Sequence, residues 1–163
     1  MYKRRFCCFA GFWCDIMGSM ELNLSQKRQI KRIAEKYQLR MMLLFGSQVK
    51  RTHLHQESDF DIAYLSKKDL SGKEIIGLNC DLIDVFHNDR VDLVNLRKVN
   101  PLLRYEIAKN SQLLFGKEMD YLEFKAFAFK DYINHQPLFE LRDFLMKKRH
   151  KSLGKFIQDK YGQ

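Results

Sequence analysis

Proline is nearly absent from the 163-residue chain, at 2 residues, and glycine numbers only 8, which excludes a collagen-like or Pro/Gly-rich low-complexity chain. Cysteine occurs four times. Cys7, Cys8 and Cys14 crowd the N-terminus and Cys80 stands alone, a spacing that suits neither a disulfide framework nor the paired C-x-x-C ligands of a zinc site. Reduced thiols in a cytoplasmic protein are expected. No apolar run approaches the ~20 residues that cross a bilayer, and no G-x-x-x-x-G-K-[ST] segment is present, so P-loop chemistry is excluded. Acid is in the minority: 20 Asp and Glu against 29 Lys and Arg leave a formal charge of +9, which favours an anionic partner, whether nucleotide, nucleic acid or acidic protein surface. What is abundant is core material, with 45% hydrophobic and 13% aromatic residues, enough to exclude disorder over most of the chain. The length points to one domain, since chains divide only beyond about 250 residues.

Met1 to Ser19 open with Lys3, Arg4 and Arg5 and run apolar from Phe6 to Cys14, like the first two parts of a secretory signal. The third part is poor. No convincing small-x-small cleavage site follows, and Phe12 and Trp13 stand where a lipoprotein signal needs small residues before Cys14. Residues 1–19 are read as an upstream extension, with Met17 or Met20 as alternative starts, and the folded domain is assigned to residues 20–163.

Beyond it the pattern alternates. Asn23-Leu24-Ser25 followed by Gln26 to Tyr37 predicts a capped amphipathic helix with Ile30, Ile33 and Ala34 on its apolar face. Its basic face is read as solvated, so direct nucleic-acid binding is not favoured. Met41 to Phe45 is an apolar run ending at Gly46-Ser47, the signature of a strand buried on both faces. Phe60 to Leu65 and Val91 to Leu96 predict two more strands, with a helical stretch from about Leu70 to Phe86 between them carrying Ile75, Ile76, Leu78, Leu82 and Phe86. Asn100-Pro101 signals a helix start with Leu102 to Lys109 following, and Gln112 to Phe115 predicts a fourth strand. From Met119 an aromatic-rich helix is expected, with Tyr121, Phe124, Phe127, Phe129 and Tyr132 filling the core, a break near Pro137, resumption from Leu138 to Arg149, and a fraying tail from His150. Alternating strands and helices make the fold class α/β.

Asp59 and Asp61 stand two apart in what reads as a strand, which places both carboxylates on one face while Phe60 and Ile62 point into the core. Asp disfavours strands, and paired carboxylates repel unless a cation lies between them. Asp92 repeats the anomaly inside Val91-Asp92-Leu93-Val94. If the two strands are neighbours, a cross-strand spacing of about 5 Å brings the third acid beside the first two. Such a set of hard oxygen donors suits one Mg²⁺, or two ions about 3.5–4 Å apart, the arrangement that supports phosphoryl or nucleotidyl transfer. Gly46 permits close backbone approach to a ligand, and the Ser47 hydroxyl with amides at a helix start can hold phosphate oxygens. His53 and His55, in a polar loop with Gln56 and Glu57, are read as solvated.

The strings Phe45-Gly46-Ser47, Ser58-Asp59-Phe60-Asp61-Ile62 and Val91-Asp92-Leu93-Val94 together resemble the minimal nucleotidyltransferases of the polymerase-beta superfamily, and in particular the MNT antitoxins that pair with HEPN toxins. The resemblance runs from about Glu21 into the C-terminal helix. It implies a small mixed sheet of the nucleotidyltransferase fold with covering helices and a long C-terminal helical segment. It further implies that Asp59, Asp61 and Asp92 bind Mg²⁺, in two ions, that Asp92 helps deprotonate the acceptor, and that Gly46 and Ser47 cradle the β- and γ-phosphates of ATP. The implied activity is adenylyl transfer from ATP to a tyrosine of the cognate toxin, in the cytoplasm and without a membrane partner. One departure stands out: residues 48–58 form a loop one residue longer than the family's, and Val49-Lys50-Arg51 replaces its small-Arg-Gly. Lys50 and Arg51 either reach the triphosphate or face water. Two other functions compete: transfer to a small hydroxyl compound such as an aminoglycoside, which usually needs more chain to build the acceptor pocket, and a non-catalytic antitoxin acting by contact, against which the intact acids argue.

Overall fold

The computed structural model describes residues 22–50 and 59–161. The extension at 1–19, Arg51, His53 and His55 lie outside the described residues. Element order is α1 (Leu24–Lys36), β1 (Leu39–Phe45), α2 (Ser47–Lys50), β2 (Phe60–Ser66), α3 (Gly72–Phe86), β3 (Val91–Asn95), α4 (Pro101–Lys109), β4 (Gln112–Phe115) and α5 (Glu118–Tyr161).

Each helix start follows from its sequence. The Asn23 side chain accepts from the Gln26 amide at 2.7 Å while Gln26 Oε1 accepts from the Asn23 amide at 3.1 Å, a reciprocal capping box that starts α1. Ser71 and Glu74 do the same for α3, which therefore begins at Gly72 rather than at Leu70. Asn100 caps α4 with Pro101 in its first turn, as expected. The buried residues of α1 are Ile30, Ile33 and Ala34, again as read from spacing.

The four strands form one mixed sheet in the order β3-β2-β1-β4, parallel between β2 and β3 and antiparallel elsewhere. Alternation along β1 divides the interior. Met42 and Leu44, with Ile62 and Tyr64 of β2, face a core completed by α1 and α3. Met41 and Leu43, with Ala63, face a second core completed by Ile107 and Ala108 of α4 and Tyr121, Phe124 and Ala128 of α5. A strand between two helical layers must be apolar on both sides, which is why Met41 to Leu44 are all fully buried. Within the α1/α3 layer, Gly77 of α3 lets the Tyr37 hydroxyl come close: a Cβ there would meet it at 2.7 Å.

Three expectations are corrected. Ile76 is 67% exposed; the buried row of α3 is Leu78, Leu82, Val85 and Phe86. Of the α5 aromatics, Tyr121 and Phe124 enter the core, whereas Phe127 and Phe129 are exposed because helical spacing turns them away from the Tyr121-Phe124-Ala128 face. Pro137 does not break α5, and the helix continues through His150 to Tyr161 instead of fraying. A proline removes one backbone donor, and Ile133 and Asn134, next to the carbonyl it orphans, are exposed, so water can satisfy that group.

Candidate active site

The site forms where β1 ends and β2 and β3 begin. Phe45 pairs with Asp61 across β1 and β2, and Asp61 pairs with Asp92 across the parallel β2–β3 ladder, so Asp61 sits between the two neighbours. Alternation puts Phe60, Ile62 and Val91 into the α1/α3 core and turns Asp61 and Asp92 to the opposite face. Asp61 is half-buried; Asp59 and Asp92 are exposed.

Asp59 differs from the expectation in one respect. It precedes β2 rather than belonging to it, because the first register pair is Phe60 with Val91, and the Phe60 amide donates to the Arg90 carbonyl at 2.9 Å. It nevertheless stays within electrostatic reach of Asp61. Burial pushes the Asp61 carboxyl above the usual carboxylate range, and the charges of Asp92 and Asp59 push it further. The repulsion anticipated from the bare sequence is therefore present in the folded chain.

Gly46 occupies the left-handed region at φ +78°. A Cβ built on it would stand 1.9 Å from Asp61 Oδ2 and 2.9 Å from Asp61 Cγ. The close approach that demands glycine is thus to the Asp61 carboxylate. Ser47 follows, exposed, at the start of α2. Sequence reading overlooked Val49: it is only 3% exposed and belongs to the α1/α3 core, anchoring the short α2 and with it the Gly46-Ser47 turn. An apolar residue alone in a polar stretch was the available signal. Lys50 ends α2.

Among the described residues, no three carboxylate, imidazole or thiol groups converge closely enough to cage a metal ion unaided. Mg²⁺ needs no such cage, since it takes one or two carboxylates and completes its octahedron with water and substrate phosphates. Asp61 beside Asp92, with Asp59 near, is a hard-oxygen donor set whose mutual repulsion a cation relieves, so the residues fit Mg²⁺.

The pattern of the polymerase beta nucleotidyltransferase family matches residues 28–120, more than half of the chain. The chain belongs to that family. Solved structures agree with the fold of this nucleotidyltransferase. A toxin-antitoxin crystal structure with AMP-PNP aligns at TM-score 0.63 and 26% identity, covering 74% of this chain and 98% of that one. A tri-AMPylated Shewanella oneidensis HEPN toxin in complex with MNT antitoxin aligns at 0.59 and 24%, covering 75% and 97%. A MntA-HepT toxin-antitoxin structure aligns at 0.59 and 23%, covering 76% and 99%. Comparison with curated proteins returns no match. The resemblance drawn from Gly46-Ser47, Asp59-x-Asp61 and Asp92 is borne out at the level of family and fold. Among the described residues no helix of the nucleotidyltransferase is long and apolar enough to cross a membrane.

A second polar region lies away from the acids. A groove of about 1380 Å³ runs beside the edge strand β4, with Lys27, Lys31, Arg40, Lys67 and Lys117 on its walls. It gathers five of the 29 basic residues, with Asp120 beside Arg40, at the end of β1 opposite Phe45.

Proposed function

We propose that this nucleotidyltransferase is an antitoxin that transfers AMP from ATP to a tyrosine of a cognate HEPN-type toxin, in the cytoplasm. The observation that carries the chemistry is Asp61 in register with Asp92, held over Gly46 at the ends of buried strands. The nucleotidyl transfer is supported by the family, and the protein acceptor by structural relatives that are toxin-antitoxin complexes, one of them with an AMPylated toxin.

In this reading Asp59, Asp61 and Asp92 are the carboxylates that hold Mg²⁺, in two ions. The metal, when bound, supplies charge neutralisation at the triphosphate and at the pyrophosphate leaving group. Gly46 and Ser47 offer backbone amides and a hydroxyl to the β- and γ-phosphate oxygens, and Lys50, the last residue of α2, and Arg51, next to it in sequence, are the further candidates for the triphosphate. The toxin tyrosine oxygen attacks the α-phosphorus. Its new O–P bond replaces the bond to the β-phosphate, pyrophosphate departs, and the phenolic proton passes to Asp92. Catalysis is assigned to residues 20–163, with no part for 1–19.

The test is mass spectrometry of the cognate HEPN toxin, after incubation with ATP, Mg²⁺ and the antitoxin. Wild type should add one or more AMP masses. Asp92→Asn should depress transfer ~10²–10⁴-fold, the usual range for removing a positioned acid or base. A toxin that stays unmodified yet is neutralised equally by both proteins would mean inhibition by contact alone.

A further inference from the structure

α5 is 44 residues long, about 66 Å at the helical rise of about 1.5 Å per residue. Its first half is anchored: Tyr121, Phe124 and Ala128 fill the second core, Asp131 pairs with Arg104, and Tyr132 stacks on Tyr105 at 4.5 Å. The residues that face inward there, 121, 124, 128, 131 and 135, advance by alternate steps of three and four. The same row continues outward as Leu138, Arg142, Leu145 and Arg149, flanked by Leu141 and Met146. Among the described residues no strand packs beneath it. Leu138 is 59% exposed and Leu145 53%, and the six side chains line a groove of about 350 Å³. The family pattern ends at residue 120, so this face lies outside the shared catalytic unit.

We propose that this face of α5 is where the toxin docks, and that it fits an apolar protein surface carrying two carboxylates placed to meet Arg142 and Arg149. The proposal rests on the toxin reading above for the partner's identity. The positions of the two arginines select the occupant. They lie seven residues apart on one face, about 10 Å along the axis, and in the middle of the apolar row rather than at its margin. A helix lying on a membrane keeps its cations at the polar margin, because a guanidinium pressed into acyl chains is costly. A second copy packed antiparallel with its midpoint between Leu145 and Met146 would oppose Arg142 to Arg149, and packed parallel in register would oppose each arginine to itself; both pair like charges. A protein surface with two acids among apolar side chains satisfies the leucines and the guanidiniums together, and bidentate Arg–carboxylate pairing sets the register. On the free chain Arg142 leans on Asp143 at 3.0 Å, an exposed pair that such a partner would displace easily.

The decisive experiment is a calorimetric titration of the full chain against the cognate HEPN toxin, without ATP. The exposed double variant Arg142→Glu/Arg149→Glu should bind at least tenfold more weakly, and Leu145→Asp likewise, while both melt and bind Mg-ATP like wild type. Unchanged affinity in both variants overturns the docking site without touching the transfer reading, which is scored separately by the AMP mass on the toxin. Conversely, a wild type that binds through these residues but transfers no AMP supports the docking site and sinks the transfer reading. If the variants leave toxin affinity intact but abolish self-association of the chain, or its uptake on anionic vesicles, the face belongs to a second copy or to a lipid surface and the proposal fails.

Discussion

At Gly46 a single hydrogen atom keeps the Asp61 carboxylate in place. Gly46→Ala introduces a methyl at 1.9 Å from Asp61 Oδ2 in a backbone conformation of φ +78°. The left-handed strain alone costs about 1–2 kcal/mol, so the variant should melt several degrees lower. It should also lose nucleotide binding, because Asp61 must swing away from Asp92; calorimetry showing wild-type Mg-ATP affinity would contradict this geometry. Asp61 itself makes a pH prediction. Its folded-state carboxyl holds a proton that the unfolded chain has already released, so without metal or nucleotide the protein loses stability as pH rises through that raised value. Asp61→Asn removes the penalty. Its melting temperature should stay flat through the same interval and exceed wild type at pH 7.5 by about 1–3 °C. Mg-ATP should reverse the order, stabilising wild type but not the variant. A variant that melts lower at neutral pH in the apo state would show that Asp61 stabilises the fold by contacts not described above.

Secondary-structure elements here are held by caps at their ends and by a few bonds between neighbouring elements. In α3, Glu74 bonds Lys68 and both the amide and hydroxyl of Ser71, and these contacts lower its carboxyl to about 2 from 4.5. A depressed acid stabilises the folded state above its ordinary value, and that contribution is lost as pH falls from 4.5 toward about 2. Ser71→Ala should cost about 1 kcal/mol, and thermal melts should show a weaker acid dependence in the variant between those limits. Between elements, Arg104 of α4 reaches Asp131 of α5 and donates to the Val99 carbonyl at 2.9 Å, with both charged side chains mostly buried. Removing one partner strands the other: Asp131→Ala should cost about 3 kcal/mol, while Arg104→Met together with Asp131→Leu should recover much of it. Urea denaturation of the three proteins measures this, and equal losses in single and double variants would remove the pair from the account of how α5 is fixed.

For the molecule as a whole, catalysis is assigned to the described sheet and helices, so a chain starting at Met20 should melt within about 1 °C of the full chain and bind Mg-ATP equally. A large fall in either on truncation would restore a role to the N-terminal residues. The parts legible in the sequence are those with local causes. Asn23, Ser71 and Asn100 announce their helices because a cap is a bond between near neighbours. Met41 to Leu44 announce a central strand because covering both faces demands continuous apolarity, and Asp61 and Asp92 stand out because acids in such runs oppose their surroundings. Other features were settled by contacts distant in sequence. Asp59 falls just outside β2 because β3 supplies no partner before Val91. Pro137 leaves α5 unbroken, against the local rule, and which α5 aromatics are buried depends on where α4 and the sheet meet the helix. By itself, then, the sequence determined the strand and helix inventory, the acids and the Gly46-Ser47 turn. Tertiary structure alone decided that Asp61 lies between Phe45 and Asp92, directly over Gly46, because strand order and register arise from packing two helical layers on one sheet.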